Sequence, residues 1–423
     1  MRLLLLILTL LIPPTLAHAQ GVAVVKSAAP ISNGGTQDFV GPSGFGTPVC
    51  AMFFLGYGTA NGTAVDHAML SVGVSDFTNI RSFSHVSRDT GGTTDTRAER
   101  SATGLITLLA SDQSVDGTAI ASTITDGVRL TWSDAPPAAY LVTAVLFSSA
   151  AFSNCAVGTV TPSGSVDGTA SVSGLGWQPD VIVGLYAGST VNARTSLGFG
   201  LNDGGVIQLS AAQASTTNSA TSTVAEFFRD DRIAENALSP TTVASLQLTS
   251  FDSGGFTITT RDSSTSVNDL YYLAAKLQTG ISAKLLACTS PTSTGAHSCT
   301  GTGWTPQAGI MLHTLAPGLN THYTTVGNVD AYGISAFTAS TASSSSIADD
   351  DATTTANTES ITSINPVRLR RASADLMTAT FSGFQADGAN FNYTLTDSTA
   401  RYRAILFIQA PAVSFGKFRR REP

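Results

Sequence analysis

A short motif of glycine, tryptophan and proline, followed by an apolar run, occurs three times in this chain of 423 residues. The fullest copy is GLGWQPDVIVGLY at residues 174–186, and a second is GTGWTPQAGIML at 301–312. A degenerate copy, GFGTPVCAMFFL, covers residues 44–55. The prolines of the three copies are spaced by 131 and 127 residues. A repeat of about this length is the size of one small domain, so the motif predicts three similar units in tandem.

A second feature keeps the same spacing near the end of each unit. Tyr140, Tyr272 and Tyr402 each open a mostly apolar run, and they are separated by 132 and 130 residues. The sequence therefore predicts units at residues 22–148, 151–279 and 281–409, each with its own core and joined in series like beads on a string.

The pattern within each unit is typical of β-strands. Ala244, Leu246 and Leu248 alternate with polar residues, which places them on one face of a half-buried strand. The apolar runs at 50–55 and 181–186 lack this alternation and predict central strands covered on both faces. With 42% hydrophobic and only 12% charged residues, the chain is unlike a disordered protein. We predict an all-β protein of three jelly-roll-like β-sandwiches.

Each unit also carries one long polar segment, at residues 87–102, 214–239 and 338–365. These segments differ between copies, so we interpret them as solvated loops, with a short helix at 225–233. Variable loops on a rigid scaffold are common binding sites. The candidate ligand-binding residues are Arg229, Asp230, Asp231, Asp349, Asp350 and Asp351. These aspartates lack the alternating ligand pattern of a calcium loop, so no metal is predicted.

Four cysteines in an exported chain predict disulfides. Cys288 and Cys299 flank a short turn between the first two strands of the third unit, where a disulfide contributes on the order of 3 kcal/mol. Cys50 and Cys155 lie in the first unit and at the start of the second. They either pair and tie the two units together, or Cys50 is a buried, unpaired apolar side chain.

The N-terminus resembles a secretory signal peptide. Residues 1–19 contain Arg2, an apolar core of about ten residues and the sequence Ala17-His18-Ala19, which favours cleavage before Gln20. That core is too short to span a bilayer, which needs about 20 residues, and no transmembrane segment is expected in the mature chain. We predict an exported protein that is extracellular, periplasmic or held at the cell surface. The tail at 410–423 is basic and is interpreted as a solvated end.

No pattern in the chain predicts catalysis or a cofactor. A nucleophile elbow of the G-x-S-x-G type is missing, and the histidines show no metal-ligand spacing. We interpret His67, His85, His297, His313 and His322 as polar residues at the surface or at strand edges. The net charge of −7 argues against a nucleic-acid partner, because such binding requires a basic face. The expectation is a protein that is not an enzyme.

The repeat resembles domains in structural proteins of tailed bacteriophages and related metagenomic viruses. The second unit carries the resemblance best, at residues 157–160, 174–186, 197–200, 255–258 and 271–274. The resemblance implies a non-enzymatic virion or surface component of β-sandwich fold, although the signal peptide is unusual for a virion protein.

Two functional hypotheses follow. The first is a non-catalytic exported structural or adhesin-like protein of a virion or extracellular assembly, whose partners are further copies of itself, other structural proteins or a cell-surface glycan. The alternative is a secreted carbohydrate-binding or carbohydrate-active protein that uses the long variable segments.

Overall fold

The computed structural model describes residues 21–62, 64–88, 95–188, 192–217, 223–238, 241–263, 267–323, 329–350, 358–371 and 374–409. These residues form antiparallel sheets and contain no helix, so the all-β class is confirmed. The predicted signal peptide and the basic tail lie outside the described residues. We keep the names first, second and third unit for residues 22–148, 151–279 and 281–409.

The first unit contributes a six-stranded and a four-stranded sheet. In spatial order the larger sheet contains β1 (Val22–Ala28), β11 (Leu141–Ser148), β3 (Pro48–Leu55), β5 (Ala68–Ser75), β6 (Ile80–Arg88) and β7 (Asp95–Ser101). The smaller sheet contains β2 (Thr36–Val40), β10 (Gly127–Asp134), β9 (Val115–Ile124) and β8 (Ile106–Leu109). A further short strand, β4 (Ala64–Asp66), leaves this unit.

The second unit repeats this order with one strand added. Its larger sheet contains β12 (Phe152–Val160), β21 (Leu270–Leu277), β14 (Val181–Ala187), β15 (Ala193–Asn202), β16 (Val206–Ser215), β17 (Val224–Arg229) and then β25 (Thr321–Tyr323), which comes from the third unit. Its smaller sheet contains β13 (Thr169–Val172), β20 (Gly255–Ser263), β19 (Thr241–Asp252) and β18 (Ala234–Leu238).

The third unit has the same plan. Its larger sheet contains β22 (Ala283–Thr289), β32 (Tyr402–Ile408), β24 (Ala308–Thr314), β26 (Val329–Thr338), β27 (Ala342–Asp350), β28 (Thr358–Ser363) and then β4 from the first unit. Its smaller sheet contains β23 (Gly295–Thr300), β31 (Gly388–Leu395), β30 (Ala374–Gln385) and β29 (Val367–Arg371).

Within each unit the two sheets enclose an apolar core. In the first unit, Phe53 from the larger sheet and Trp132 from the smaller sheet belong to the same buried cluster. Equivalent clusters lie in the second and third units. Period-2 alternation explains them, because every second residue of a strand faces the opposing sheet.

The opposite faces of the three larger sheets form a further core that all units share. On β3, Phe53 and Leu55 face the smaller sheet, whereas Met52 and Phe54 join this shared core. Strands β14 and β24 contribute to it in the same way. This explains why the central strands are apolar on both faces, as predicted. The expectation of separate beads is wrong, because the units bury one common core.

Exchanged strands close the three units into a ring. Strand β25 of the third unit pairs with β17 of the second, and β4 of the first unit pairs with β28 of the third. The first and second units meet through the Thr96 hydroxyl, which accepts the Ala193 amide at 3.3 Å and donates to the Ser215 carbonyl at 3.1 Å. Each unit therefore contacts both of the others.

The repeated motif forms the turn that leads into each central strand. Its second glycine, Gly46, Gly176 or Gly303, has a positive φ of 81°, 74° or 76°, which explains the choice of glycine. The amides of Gly46 and Gly303 donate to the carboxylates of Asp126 and Asp387, both at 2.6 Å. Each of these aspartates belongs to an Asp-Gly turn, so hydrogen bonds join the turn of the repeated motif to the Asp-Gly turn of the same unit.

Candidate functional site

The three polar segments that we interpreted as loops contribute strands to the larger sheets. They contain β7, then β17 and β18, then β27 and β28; all of these strands lie in the larger sheets except β18, which is an edge strand of the smaller sheet of the second unit. The helix expected at 225–233 is wrong, since β17 occupies most of that range. Strands β17 and β28 receive the exchanged strands, and Thr96 of β7 bonds the second unit. Polar composition was misleading because neighbouring units bury these strands.

Arg229, Asp230 and Asp231 lie together at the end of β17, where the second unit meets the third. Arg229 forms ion pairs with Asp231 at 3.1 Å and with the buried Glu235 at 3.0 Å. Asp230 is exposed, and its carboxylate accepts from the Asn320 amide at 2.6 Å. These residues are therefore committed to contacts within the molecule and help to fasten β25 to the second unit.

We expected Asp349 to lie in a solvated loop. Instead it lies on β27 and is 1% exposed. Asp350 ends that strand; its side chain, like the whole of Asp351, lies outside the described residues. Three units meet around the Asp349 carboxylate. One oxygen accepts from the Gln213 amide at 3.2 Å and lies 3.7 Å from Nε2 of His85.

We call His85, Thr195, Gln213 and Asp349 the central polar cluster. His85 is fully buried, and its Nδ1 lies 3.2 Å from the Thr195 hydroxyl. The interpretation of His85 as a surface or edge residue is therefore wrong. The cluster joins residues of the first, second and third units inside one buried volume. Its buried hydrogen bonds favour one arrangement of the three units relative to each other.

Corresponding positions at the three junctions carry different side chains. Each junction strand, β7, β17 or β28, begins beside the end of its neighbour: Thr96 pairs with β6, Val224 with β16 and Thr358 with β27. Two residues further along each junction strand, the corresponding side chains are Ala98, Glu226 and Ser360. Ala98 belongs to the shared core. The Ser360 hydroxyl donates to the Met69 carbonyl at 2.7 Å and accepts the Tyr57 and Met69 amides, both at 3.3 Å.

Glu226 is the ionisable member of this set and is fully buried. Its carboxylate accepts the Ala331 amide of the third unit at 3.2 Å. Burial raises the pKa of Glu226 to about 8, opposed by hydrogen bonds from the Leu315 and Ala331 amides and by the charge of Arg401. A clue lay in the sequence: one carboxylate within the apolar run 224–228 is typical of a buried acid.

A second pair of buried ionisable residues lies in the third unit. His313 of β24 is directly opposite Arg403 of β32, and the two are 0% and 3% exposed. The Arg403 guanidinium donates to the Tyr393 hydroxyl. Burial, followed by the charge of Arg403, lowers the pKa of His313 to about 3, and burial lowers that of Arg403 to about 9. His313 is thus a neutral core residue, contrary to the surface interpretation.

The predicted Cys288–Cys299 disulfide is present, and of the two alternatives for Cys50 and Cys155 the structure shows the pairing. Cys50 of β3 is bonded to Cys155 of β12, which ties the first unit to the second. Cys288 of β22 is bonded to Cys299 of β23, which joins the larger and smaller sheets of the third unit. The strands flanking the short turn therefore belong to different sheets.

Two surface crevices follow the boundaries between units. One, of about 380 Å³, lies between the second and third units and is lined by Asp180, Asp203 and Lys276. Within it Asp180 pairs with Lys276 at 3.0 Å, and Asp203 pairs with Lys284 at 2.6 Å. The other, of about 410 Å³, lies between β1 and the turn at 338–341. The first crevice is mainly polar, whereas the second has a mixed polar and apolar lining.

Comparison of the chain with protein-family models and with curated proteins gave no match. Among the described residues, no group of three or more histidine, cysteine, aspartate or glutamate side chains has the arrangement of a metal site. No helix within the described ranges is long and apolar enough to cross a membrane.

Proposed function

We propose that the protein is a non-catalytic, exported structural or surface-binding protein, a component of a virion or extracellular assembly or of an attachment device. The observation that carries this proposal is the strand exchange. The long polar segments, which a binding or catalytic protein would present to a ligand, instead lock three sheet pairs into one ring. A building block that must survive outside the cell benefits from such closure, since local opening of one unit costs contacts in two others.

The outer surface supports the same proposal. The smaller sheets carry rows of hydroxyl side chains, with cross-strand hydrogen bonds such as Thr118 to Ser133 at 2.7 Å and Ser171 to Thr257 at 2.8 Å. Each smaller sheet also ends in edge strands, such as β2 and β8 in the first unit. Edges of this kind accept a strand from a second molecule, which is a route to self-association.

The carbohydrate alternative loses part of its basis. It relied on the long segments as loops, and Arg229, Asp231 and Asp349 of those segments are engaged in internal contacts. A glycan partner remains compatible with the proposed role only as a ligand of the outer surface.

The test is the state of the protein purified from its native source. Mass spectrometry gives the mature N-terminus, and size exclusion with light scattering gives the assembly size. We expect a chain that starts at Gln20 and either forms a large regular assembly or binds cells or glycan arrays. A monomer without affinity for cells, glycans or itself would overturn the proposal, and retention of Met1 would overturn export by signal cleavage.

A further inference from the structure

Another surface cavity lies at one end of the first unit, away from the two crevices described above. Its volume is about 210 Å³. Three parts of the chain form it: the end of the β3 and β11 pair, the exchanged strand β4, and the turn between β8 and β9. The side chains that matter for its chemistry are Tyr57, Tyr140, Asp66, His67 and Asp116. We call it the tyrosine–aspartate pocket.

Two aromatic rings form one side of the pocket. The ring centroids of Tyr57 and Tyr140 are 5.5 Å apart, and the ring planes are tilted by 54°. Tyr57 is 7% exposed and its hydroxyl donates to the Leu109 carbonyl, so its position is fixed. Tyr140 is half-buried. The two tilted rings create a corner, and the Tyr57 ring, which is already fixed, loses no side-chain freedom on binding.

The remaining polar lining is mainly acidic. Asp116 is partly buried and Asp66 is exposed at the rim. Burial, followed by the charges of Asp134 and Asp112, raises the pKa of Asp116. The described lining residues include neither lysine nor arginine. The pocket therefore has excess negative charge that a bound cation would neutralise.

The junction with the third unit positions one wall. Strand β4 pairs with β28, and the His67 amide donates to the Thr358 carbonyl at 2.8 Å. His67 has a φ of 74°, which turns the chain sharply between β4 and β5. The wall that carries Asp66 and His67 is thus held by another unit, so the pocket exists only in the closed ring.

We propose that the tyrosine–aspartate pocket binds a small organic cation of the quaternary ammonium type, with its methyl groups against Tyr57 and Tyr140 and its charge facing Asp116 and Asp66. Aromatic faces combined with carboxylates are the chemistry by which proteins recognise such cations, which are weakly hydrated and cannot be held by hydrogen bonds. Primary ammonium ions fit less well, because their stronger hydration must be replaced by hydrogen bonds. This site is independent of the proposed structural role.

The test uses the full exported chain, with choline chloride and tetramethylammonium chloride as probes and calorimetry or tyrosine fluorescence as the measurement. The matched neutral probe is 3,3-dimethyl-1-butanol, which has the shape of choline without its charge. We expect saturable binding of both cations, and binding of the neutral analogue that is weaker by about tenfold. Equal affinity for choline and its neutral analogue would overturn the proposal, as would absence of choline binding at tens of millimolar.

Two variants assign the binding to this pocket. Asp116→Asn keeps the shape and removes one charge, and we expect choline affinity to fall by about fivefold. Asp203→Asn changes a carboxylate in the crevice between the second and third units and should leave choline binding unchanged. Circular dichroism and a thermal melt check that both variants fold. Equal effects of the two variants would show non-specific attraction to an acidic protein and would overturn the site.

The source of the cation is separable in the same experiment. Free choline tests a soluble ligand, and phosphocholine-bearing vesicles test a headgroup at a surface. Binding to vesicles that free choline displaces would place the ligand on a surface. Binding of free choline alone would place it in solution. Loss of assembly in the test of the structural role would leave both outcomes unaffected.

Discussion

At the junction between the second and third units, β17 presents Glu226 to the Ala331 amide; at the junction between the third and first units, β28 presents Ser360 to the Tyr57 and Met69 amides. Both side chains occupy the corresponding position of a strand that receives an exchanged partner. Both accept backbone hydrogen bonds from the neighbouring unit. One of these acceptors can ionise within the ordinary pH range and the other cannot.

The comparison shows that the pairing of an exchanged strand determines the position at which a hydrogen-bond acceptor is needed. It does not determine which side chain supplies that acceptor. A serine supplies a short neutral acceptor, and Gly56 makes room for it: a Cβ on Gly56 would lie 2.7 Å from the Ser360 hydroxyl. A glutamate supplies a longer acceptor, and its carboxyl group avoids the free-energy cost of a buried charge only when it is protonated. The first and second units use a third solution, with Ala98 at that position and the Cys50–Cys155 disulfide across the junction.

The largest effect is expected when the chemistry of one junction is imposed on another. Ser360→Glu would place a carboxylate where Gly56 and the Met69 carbonyl leave no space and no extra donor. We expect a loss of about 5 kcal/mol or more in the free energy of unfolding at pH 7. Denaturant unfolding measures it. The reciprocal change, Glu226→Ser, should cost less than half as much, and equal losses would contradict the comparison.

The next effect separates the two junctions by pH. Between about pH 4.5 and pH 8, folded Glu226 keeps a proton that the unfolded chain has released. The contribution of Glu226 to the free energy of unfolding is therefore complete below pH 4.5 and declines as the pH rises to 8, by on the order of 5 kcal/mol. Glu226→Gln keeps the acceptor and should remove this decline, as measured by thermal melts from pH 4 to 9.

His313 provides the internal control for that measurement. Its pKa is lowered from 6.5 to about 3, so the unfolded chain binds a proton that the folded protein does not. This contribution is lost as the pH falls from 6.5 towards 3, the opposite direction from Glu226. Glu226→Gln should leave the acid limb of the curve in place. A variant that flattened both limbs, or neither, would contradict the assignment to Glu226.

The covalent junction gives the third prediction. Cys50→Ser together with Cys155→Ser removes a bond that closes 105 residues of sequence, and we expect a loss of about 4 to 5 kcal/mol. Cys288→Ser with Cys299→Ser is the matched control, because the disulfide that it removes closes only 11 residues and joins two sheets of one unit. Its loss should be smaller by about 2 kcal/mol. Calorimetry should show the first pair of changes uncoupling the first unit, whereas the control should not.

Much of the fold could be predicted because its signals are local. The motif glycines carry their positive φ within a few residues, and the apolar runs of β3 and β14 show that both faces are covered. Spacing and the expected compartment predict the Cys288–Cys299 disulfide, whereas they leave the pairing of Cys50 with Cys155 open. Each of these inferences needs only a short stretch of sequence and a general rule.

The site could not be predicted in the same way, because its contacts are distant in sequence. His85 belongs to the first unit and Asp349 to the third, and the two side chains meet only where these units pack together. Nothing in the sequence near either residue indicates the other. The serines at 343–346 have the composition of a loop, yet they are buried. The Ser343 hydroxyl is bonded to that of Thr143 in the first unit, whereas Ser344 and Ser346 donate to backbone carbonyls at 365 and 368 within the third unit. Burial by a neighbouring unit is a property of the assembled ring, which local periodicity does not contain.

The smallest effect tests whether Ser360 acts as an acceptor or only as a small side chain. Ser360→Ala keeps the volume but leaves the Tyr57 and Met69 amides without this partner, and we expect a loss of about 1 to 2 kcal/mol. Ser360→Thr keeps the hydroxyl and adds one methyl group. Hydrogen exchange of the two amides reports directly on the junction: faster exchange in the alanine variant alone supports the acceptor role. If both variants exchanged equally fast, packing and not hydrogen bonding would govern this junction, and its parallel with Glu226 would fail.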